Sequence, residues 1–274
     1  MIDSQVIEQL KVKNNIYIDG KFYDVGFNGE VFSSTKVFEN KNLGNIYFKN
    51  CTFYDVSFDK CIGEYFFCTC ELYRCTFIDA HIACSIFDRC TLISSIFDNC
   101  YMNNAILSQC RIYSCKFNSA NLCKTTINYC VIANSEFIKT KMKNTALRHN
   151  SYENSILPKA RNICPKNGKF IAWKRAGTKD KTHVIVKLEI PEDAKRISTF
   201  SNRCRCDKAK VLEIQDLFGN VLPDTTAISL FSNHFIIHYK PGNIVYANGF
   251  NPDYREDCSY GINFFMTKKE ALDY

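Results

Sequence analysis

Residues 70–99 read CELYR CTFID AHIAC SIFDR CTLIS SIFDN, and what decides the fold is how regularly one kind of residue returns. Stepping by five from Phe67 gives Leu72, Phe77, Ile82, Phe87, Leu92, Phe97, Met102, Leu107 and Ile112. The series continues through Phe117, Leu122, Ile127, Ile132, Phe137, Met142, Leu147, Tyr152 and Leu157, all apolar or aromatic. A second series runs two residues ahead of it, from Tyr65 through Cys70, Cys75, Ala80, Ser85 and Cys90 to Ser155. Apart from Tyr65 and Asn150, its members are Cys, Ala, Ser or Thr. A period of five suits neither a helix at 3.6 nor a strand at 2. It describes a chain that turns a corner every five residues and points one large and one small side chain inward on each side.

Residues 20 apart are also alike. Phe77, Phe97, Phe117 and Phe137 form one column, Leu72, Leu92, Ile112 and Ile132 a second, and Cys70, Cys90, Cys110 and Cys130 a third. The coil is therefore four-sided, with like residues stacked about 4.8 Å apart. Upstream, Phe22, Phe27 and Phe32 keep the spacing, and Phe38, Leu43, Phe48, Phe53 and Phe58 resume it after a one-residue slip. A second slip before Phe67 predicts a bulge or short loop near Cys61-Ile62-Gly63. From 22 to 157 this makes roughly seven coils, on the order of 34 Å of stem. A solenoid needs capped ends, and residues 3–10 read as a short capping helix with Asp3 or Ser4 as N-cap.

Triplets such as Ala120-Asn121-Leu122 and Cys75-Thr76-Phe77 resemble the consensus of pentapeptide-repeat proteins. That resemblance implies a right-handed quadrilateral β-helix. It also raises a function, because some members of that family bind type II topoisomerases (gyrase) by imitating DNA. Charge argues against that role here. Residues 41–157 hold 12 Lys/Arg against 9 Asp/Glu, whereas a mimic of the phosphate lattice should be predominantly acidic.

The period stops after Leu157. The sequence thus divides into an N-terminal cap (1–20), a pentapeptide-repeat β-helix (21–157) and a C-terminal α+β domain (158–274). In the last, 183–190 and 210–214 read as strands, and 235–239 and 244–246 as a hairpin about Pro241-Gly242. Thr267 and Glu270 have capping-box spacing and predict a short terminal helix. The segments Phe170-Ile-Ala-Trp-Lys-Arg-Ala, 184–196 and Cys258-Ser-Tyr-Gly-Ile-Asn-Phe-Phe are similar to an uncharacterised domain that follows pentapeptide repeats in bacteriophage and large-DNA-virus proteins. That similarity implies a viral or phage association and no known activity.

Candidate functional residues are few. Between 158 and 188, nine basic residues face the single acid Asp180. Among them Lys159, Arg161, Lys166, Lys169, Lys174 and Arg175, with Trp173 and Phe170 as stacking groups, form a candidate surface for a protein partner or nucleic acid. The alternative is a solvated linker whose lysines guard a strand edge. Tyr73, Tyr101, Tyr113 and Tyr129 lie outside both inward series and are candidate contact aromatics.

The chain has 16 cysteines. Its length removes the need for disulfide staples, and the repeat uses cysteine as a small filler. Cys204, Cys206 and Cys258 with His234 and His238 offer metal-ligand chemistry without the usual Cys-x2-Cys spacing. A Cys258 nucleophile with a histidine base is conceivable, and Tyr260 and Asp257 have no evident partner. No phosphate loop, nucleophile elbow or His-Glu-x-x-His is present. MIDSQVIEQL lacks a signal-like apolar run, and no stretch is long enough to span a membrane. The expectation is a non-enzymatic scaffold without cofactor or metal. It acts as a virion component or as a binder of a host protein, in the host cytoplasm or the virion, with oligomers allowed.

Overall fold

The computed structural model describes residues 16–18, 21–23, 25–34, 38–160, 162–230 and 236–274. The chain divides into two compact units, Met1–Lys159 and Ala160–Tyr274. The helix expected over 3–10 lies outside the described residues.

The first unit is a four-sided parallel β-solenoid. Two sides are seven-stranded parallel sheets, one running from Val25–Asn28 to Ala146–Arg148, the other from Val31–Ser33 to Ser151–Glu153. The other two sides are ladders of single bridges, Ser57-Thr76-Ile96-Lys116-Glu136-Ile156 and Ile62-His81-Tyr101-Asn121-Lys141. The period of five is a backbone property. From Thr69 to Asn154 every fifth residue is left-handed, with φ between 47° and 61°, and none is glycine. Each such corner costs about 1 kcal/mol or more. Bonds between coils offset it, as when Arg89 N donates to Ser108 O (2.8 Å) and Lys124 N to Lys143 O (2.9 Å).

The large inward residues build the core. Phe38, Phe58, Phe77, Phe97, Phe117 and Phe137 form one continuous stack with centroids 4.6–4.7 Å apart. The small series does more than fill volume. Cys110 Sγ donates to Phe87 O (3.2 Å), Thr125 Oγ1 to Met102 O (2.9 Å) and Ser135 Oγ to Ile112 O (3.5 Å). Asn150 continues the thiol column, with its amide nitrogen donating to Ile127 O (2.8 Å) and its oxygen accepting from Cys130 N (2.9 Å). The slot therefore takes small residues with or without a donor: Ala80, Ala105 and Ala120 are buried in it too, and where a cysteine stands there its thiol serves as a weak donor. All the cysteines are free.

The irregularity sits where the sequence placed it, as a shortened side. Asn42 pairs with Ile62 and Gly44 with Gly63, so Leu43 has no partner on the next coil, and the side after Gly63 begins one residue early. The empty slot is filled by the ring of Tyr65, itself buried. A Cβ at Gly63 would lie 2.3 Å from Gly44 O and 2.8 Å from Tyr65 Cε1, so glycine and the oversized Tyr65 are one repair.

The second unit is an antiparallel sheet. Its order is Arg196–Ser198, Arg203–Cys206, Ile262–Phe265, Phe170–Gly177, His183–Ile190, Lys208–Gln215 and Ile244–Tyr246. Ala227–Ile228 and His238–Tyr239 form a side ribbon. The hairpin expected about Pro241-Gly242 does not pair with itself. Gly242 N donates to Val211 O (2.9 Å) and Val211 N to Asn243 O (2.8 Å), so the turn carries the chain onto the sheet edge. The capping box forms around helix Lys268–Leu272, the only helix among the described residues. The unit is accordingly richer in strand than an α+β reading implies.

Candidate functional site

The outward positions of the solenoid fall into columns as strict as the inward ones. On the side built by Val31–Ser33 to Ser151–Glu153, Tyr54, Tyr73, Ile93, Tyr113 and Ala133 are successive register partners. The rings of Tyr54 and Tyr73 stack at 5.0 Å and 11°. Tyr73 Oη donates to Glu71 (3.0 Å), which raises the phenol above its ordinary pKa. A corner ion pair borders the column: Arg74 grips both Asp55 oxygens at 2.7 and 2.8 Å and holds that carboxyl below its ordinary range. Two of the tyrosines singled out from sequence thus share one flat strip. Tyr54 was missed because its alignment depends on the 19-residue coil created at Gly63, and Ile93, 20 residues from both Tyr73 and Tyr113, because only aromatic residues were singled out.

The remaining two tyrosines stand elsewhere. Tyr101 stacks on His81 at 4.4 Å. Both line an open groove of about 440 Å³ beside Ile62, Gly63, Glu64 and Asn103, where the short side leaves an indentation. Tyr129 occupies a corner and stacks on His149 at 4.9 Å.

The basic segment is parted by the strand Phe170–Gly177. Lys159, Lys166 and Lys169 are exposed, Lys169 within 3.5 Å of Glu189. Arg161 lies outside the described residues. Trp173 packs with Ile185, Phe265 and Ala271, its ring flanked by the ammoniums of Lys187 and Lys268 at 5.6 and 5.8 Å. Lys174 turns to the opposite face and donates to Asn263 O (3.0 Å), and burial lowers it to about 8. Arg175 donates to Leu272 O (3.1 Å) at the end of the terminal helix. Phe170 lies against Phe264 and Arg196. These four side chains hold the unit together and do not form a stacking surface.

The thiols and histidines are likewise dispersed. Cys204 and Cys206 are fully buried, His238 is exposed, and His234 lies outside the described residues. Among the described residues no three His, Cys, Asp or Glu gather as a metal site. Burial pushes Cys75 and Cys115 up to about 12, far from thiolate chemistry. Cys258 accepts from Arg203 Nη1 (2.9 Å). Asp257 is buried and accepts from Thr199 and Ser201, the partners that sequence could not supply. No helix among the described residues is long and apolar enough to cross a membrane.

Residues 160–271 match a family of unknown function, DUF5758, and residues 70–109 match pentapeptide repeats (eight copies). No curated protein matches the sequence. Among solved structures, QnrB1, a plasmid-mediated fluoroquinolone resistance protein, is 19% identical with a TM-score of 0.33. The match covers 47% of this chain and 66% of that one. A pentapeptide repeat protein from the Arabidopsis thaliana thylakoid lumen is 14% identical over 45% of this chain and 72% of its own, with a TM-score of 0.18. Rfr23, a pentapeptide repeat protein from the cyanobacterium Cyanothece, is 10% identical over 48% and 88%, with a TM-score of 0.20. Repeat, register and corner geometry agree that the first unit folds as a pentapeptide-repeat solenoid.

Proposed function

We propose that the protein is a non-enzymatic scaffold that recognises a protein partner, virion or host, through the column Tyr54-Tyr73-Ile93-Tyr113. The supporting observation is that column itself. In it, outward aromatic and aliphatic residues are aligned by register on a flat parallel sheet, while thiols and hydroxyls of the repeat point inward. Tyrosine supplies large contact area with little conformational freedom to lose, and it is enriched where binding energy concentrates. The basic segment is the weaker choice, since Trp173, Lys174 and Arg175 are engaged within their own unit.

The test places a photo-crosslinking amino acid at Tyr113 in one sample and at Tyr129 in another. The expected result is a discrete adduct from Tyr113 alone, lost when Tyr54 and Tyr73 are changed to serine. Equal capture at both positions, or capture that survives the serine substitutions, would overturn the assignment.

A further inference from the structure

The sheet of the second unit has two unlike edges. The edge Arg196–Ser198 is guarded: Ile163 N and Cys164 N donate to Ser198 Oγ (3.0 and 2.9 Å), and Arg196 adds a charge. At the other edge, Ile244–Tyr246, no charge or proline stands between Gly242 and Asn248. Ile244 and Tyr246 are 51% and 65% exposed, and Val245 turns into the core. Charges and prolines are common guards of an edge strand, and this one lacks both.

The register fixes which backbone groups the open edge presents. Ile244, Val245 and Tyr246 pair with Lys210, Ala209 and Lys208. Val211 N donates to Asn243 O (2.8 Å) and Ala247 N to Asp207 O (2.7 Å). Residues 243, 245 and 247 thus bond back to the neighbouring strand, so the N–H and C=O of Ile244 and Tyr246 point away from the sheet. No described residue bonds to these four groups.

The four groups are complementary to themselves. An antiparallel second copy centred on Val245 sets Ile244 opposite Tyr246 of that copy, and Tyr246 opposite its Ile244. All the outward groups of both edges then pair in four bonds, and each contact sets a β-branched side chain against an aromatic ring. Lys208 and Lys210 share a face with Tyr246 and Ile244. They stay three strand spacings, about 14 Å, from their counterparts, beyond the screening length at physiological salt.

We infer that two copies of the protein join through the edge Ile244–Tyr246, an isologous contact that continues one sheet across both. A three-residue strand is only about 10 Å long, so the contact falls well short of the about 800 Å² per partner of a standard complex. The dimer is therefore weak, with a dissociation constant on the order of 0.1 mM, and little affected by salt because its contacts are uncharged.

Sedimentation equilibrium and amide hydrogen exchange of the full chain, at about 5 μM and about 0.5 mM, test this. The expected result is a monomer at the lower concentration and mostly dimer at the higher, in low and high salt alike. The amides of Ile244 and Tyr246 should gain protection with concentration, while that of Val245 is protected at both. Ile244→Pro removes an N–H that has no bond within the chain, and Tyr246→Lys alters an exposed side chain, so both should fold. Each should stay monomeric at the higher concentration, with circular dichroism as the check on folding. If either variant misfolds, the concentration dependence of the two wild-type amides still decides. A wild type that stays monomeric, or a dimer that survives both substitutions in folded variants, would overturn the inference. So would protection of the two amides that requires an added peptide of unrelated sequence, since the edge would then belong to a foreign strand.

Discussion

The two units bury polar groups in opposite ways. In the thiol column of the stem each buried donor repeats a bond made one coil earlier. Cys90 Sγ reaches Phe67 O (3.3 Å), Cys110 Sγ reaches Phe87 O (3.2 Å) and Cys130 Sγ reaches Leu107 O (3.5 Å). In the second unit the buried polar groups that are paired are paired singly, with no repeated pattern. Arg205, fully buried, donates to the carbonyls of Glu256 and Asp253, and a Cβ at Gly261 would lie 2.3 Å from its Cγ. The repeated solution spreads its burden over many equivalent positions and leaves whole outer columns free to vary. The singular one ties distant segments together and leaves little of its sequence free.

The largest expected effect comes from interrupting the phenylalanine stack. Phe97→Ala should cost about 3–5 kcal/mol in denaturant unfolding of the stem, with the second unit's transition unmoved. Gly63→Ala should cost somewhat less, about 1–3 kcal/mol, because the added methyl meets a carbonyl and the Tyr65 ring. If it were neutral, the slot would have slack that the structure does not contain.

Lys174 sharpens the contrast from the other side. Its value in the folded unit is about 8 against an ordinary 10.5. Between those pH values the unfolded chain holds the extra proton, so stability rises with pH; below about 8 both states are protonated and the burial cost is fully present. Lys174→Met should therefore melt higher than wild type at pH 7, and the gap should narrow steadily as pH rises from about 8 to 10.5. A constant gap would mean that the ammonium is not desolvated.

The smallest effects are expected in the thiol column. Cys110→Ser keeps a donor of similar size and should change stability by less than about 0.5 kcal/mol, whereas Cys110→Ala leaves Phe87 O without that bond and should cost about 1 kcal/mol. Equal effects would return the slot to simple volume filling.

The same contrast explains what the sequence revealed. Every inward residue from Phe67 to Leu157 was legible, because its neighbours sit a fixed 20 positions away. The Gly63-Tyr65 repair was not, since a deletion reads as a slip without saying which ring fills the gap. In the second unit, strand 183–190 and the Thr267-Glu270 cap were legible from local pattern. The fates of Trp173, Lys174 and Arg175 were not, because alternation along a strand cannot say which side meets Asn263 or Leu272, roughly 90 residues on. The Pro241-Gly242 turn misled for a related reason: its partner strand, Lys208–Gln215, lies about thirty residues back.

The central claim is that inward positions hold the solenoid and the outward tyrosine column holds the partner. The most direct measurement combines thermal unfolding with Tyr113 photo-crosslinking in the variant Tyr54→Ser/Tyr73→Ser. The rings being solvent-facing, each contributes at most about 1 kcal/mol through its neighbour. The account predicts a melting temperature lowered by only a few degrees, about 2–4 °C per kcal/mol, together with loss of the adduct. Retained crosslinking in a folded variant, or collapse of the stem, would contradict it.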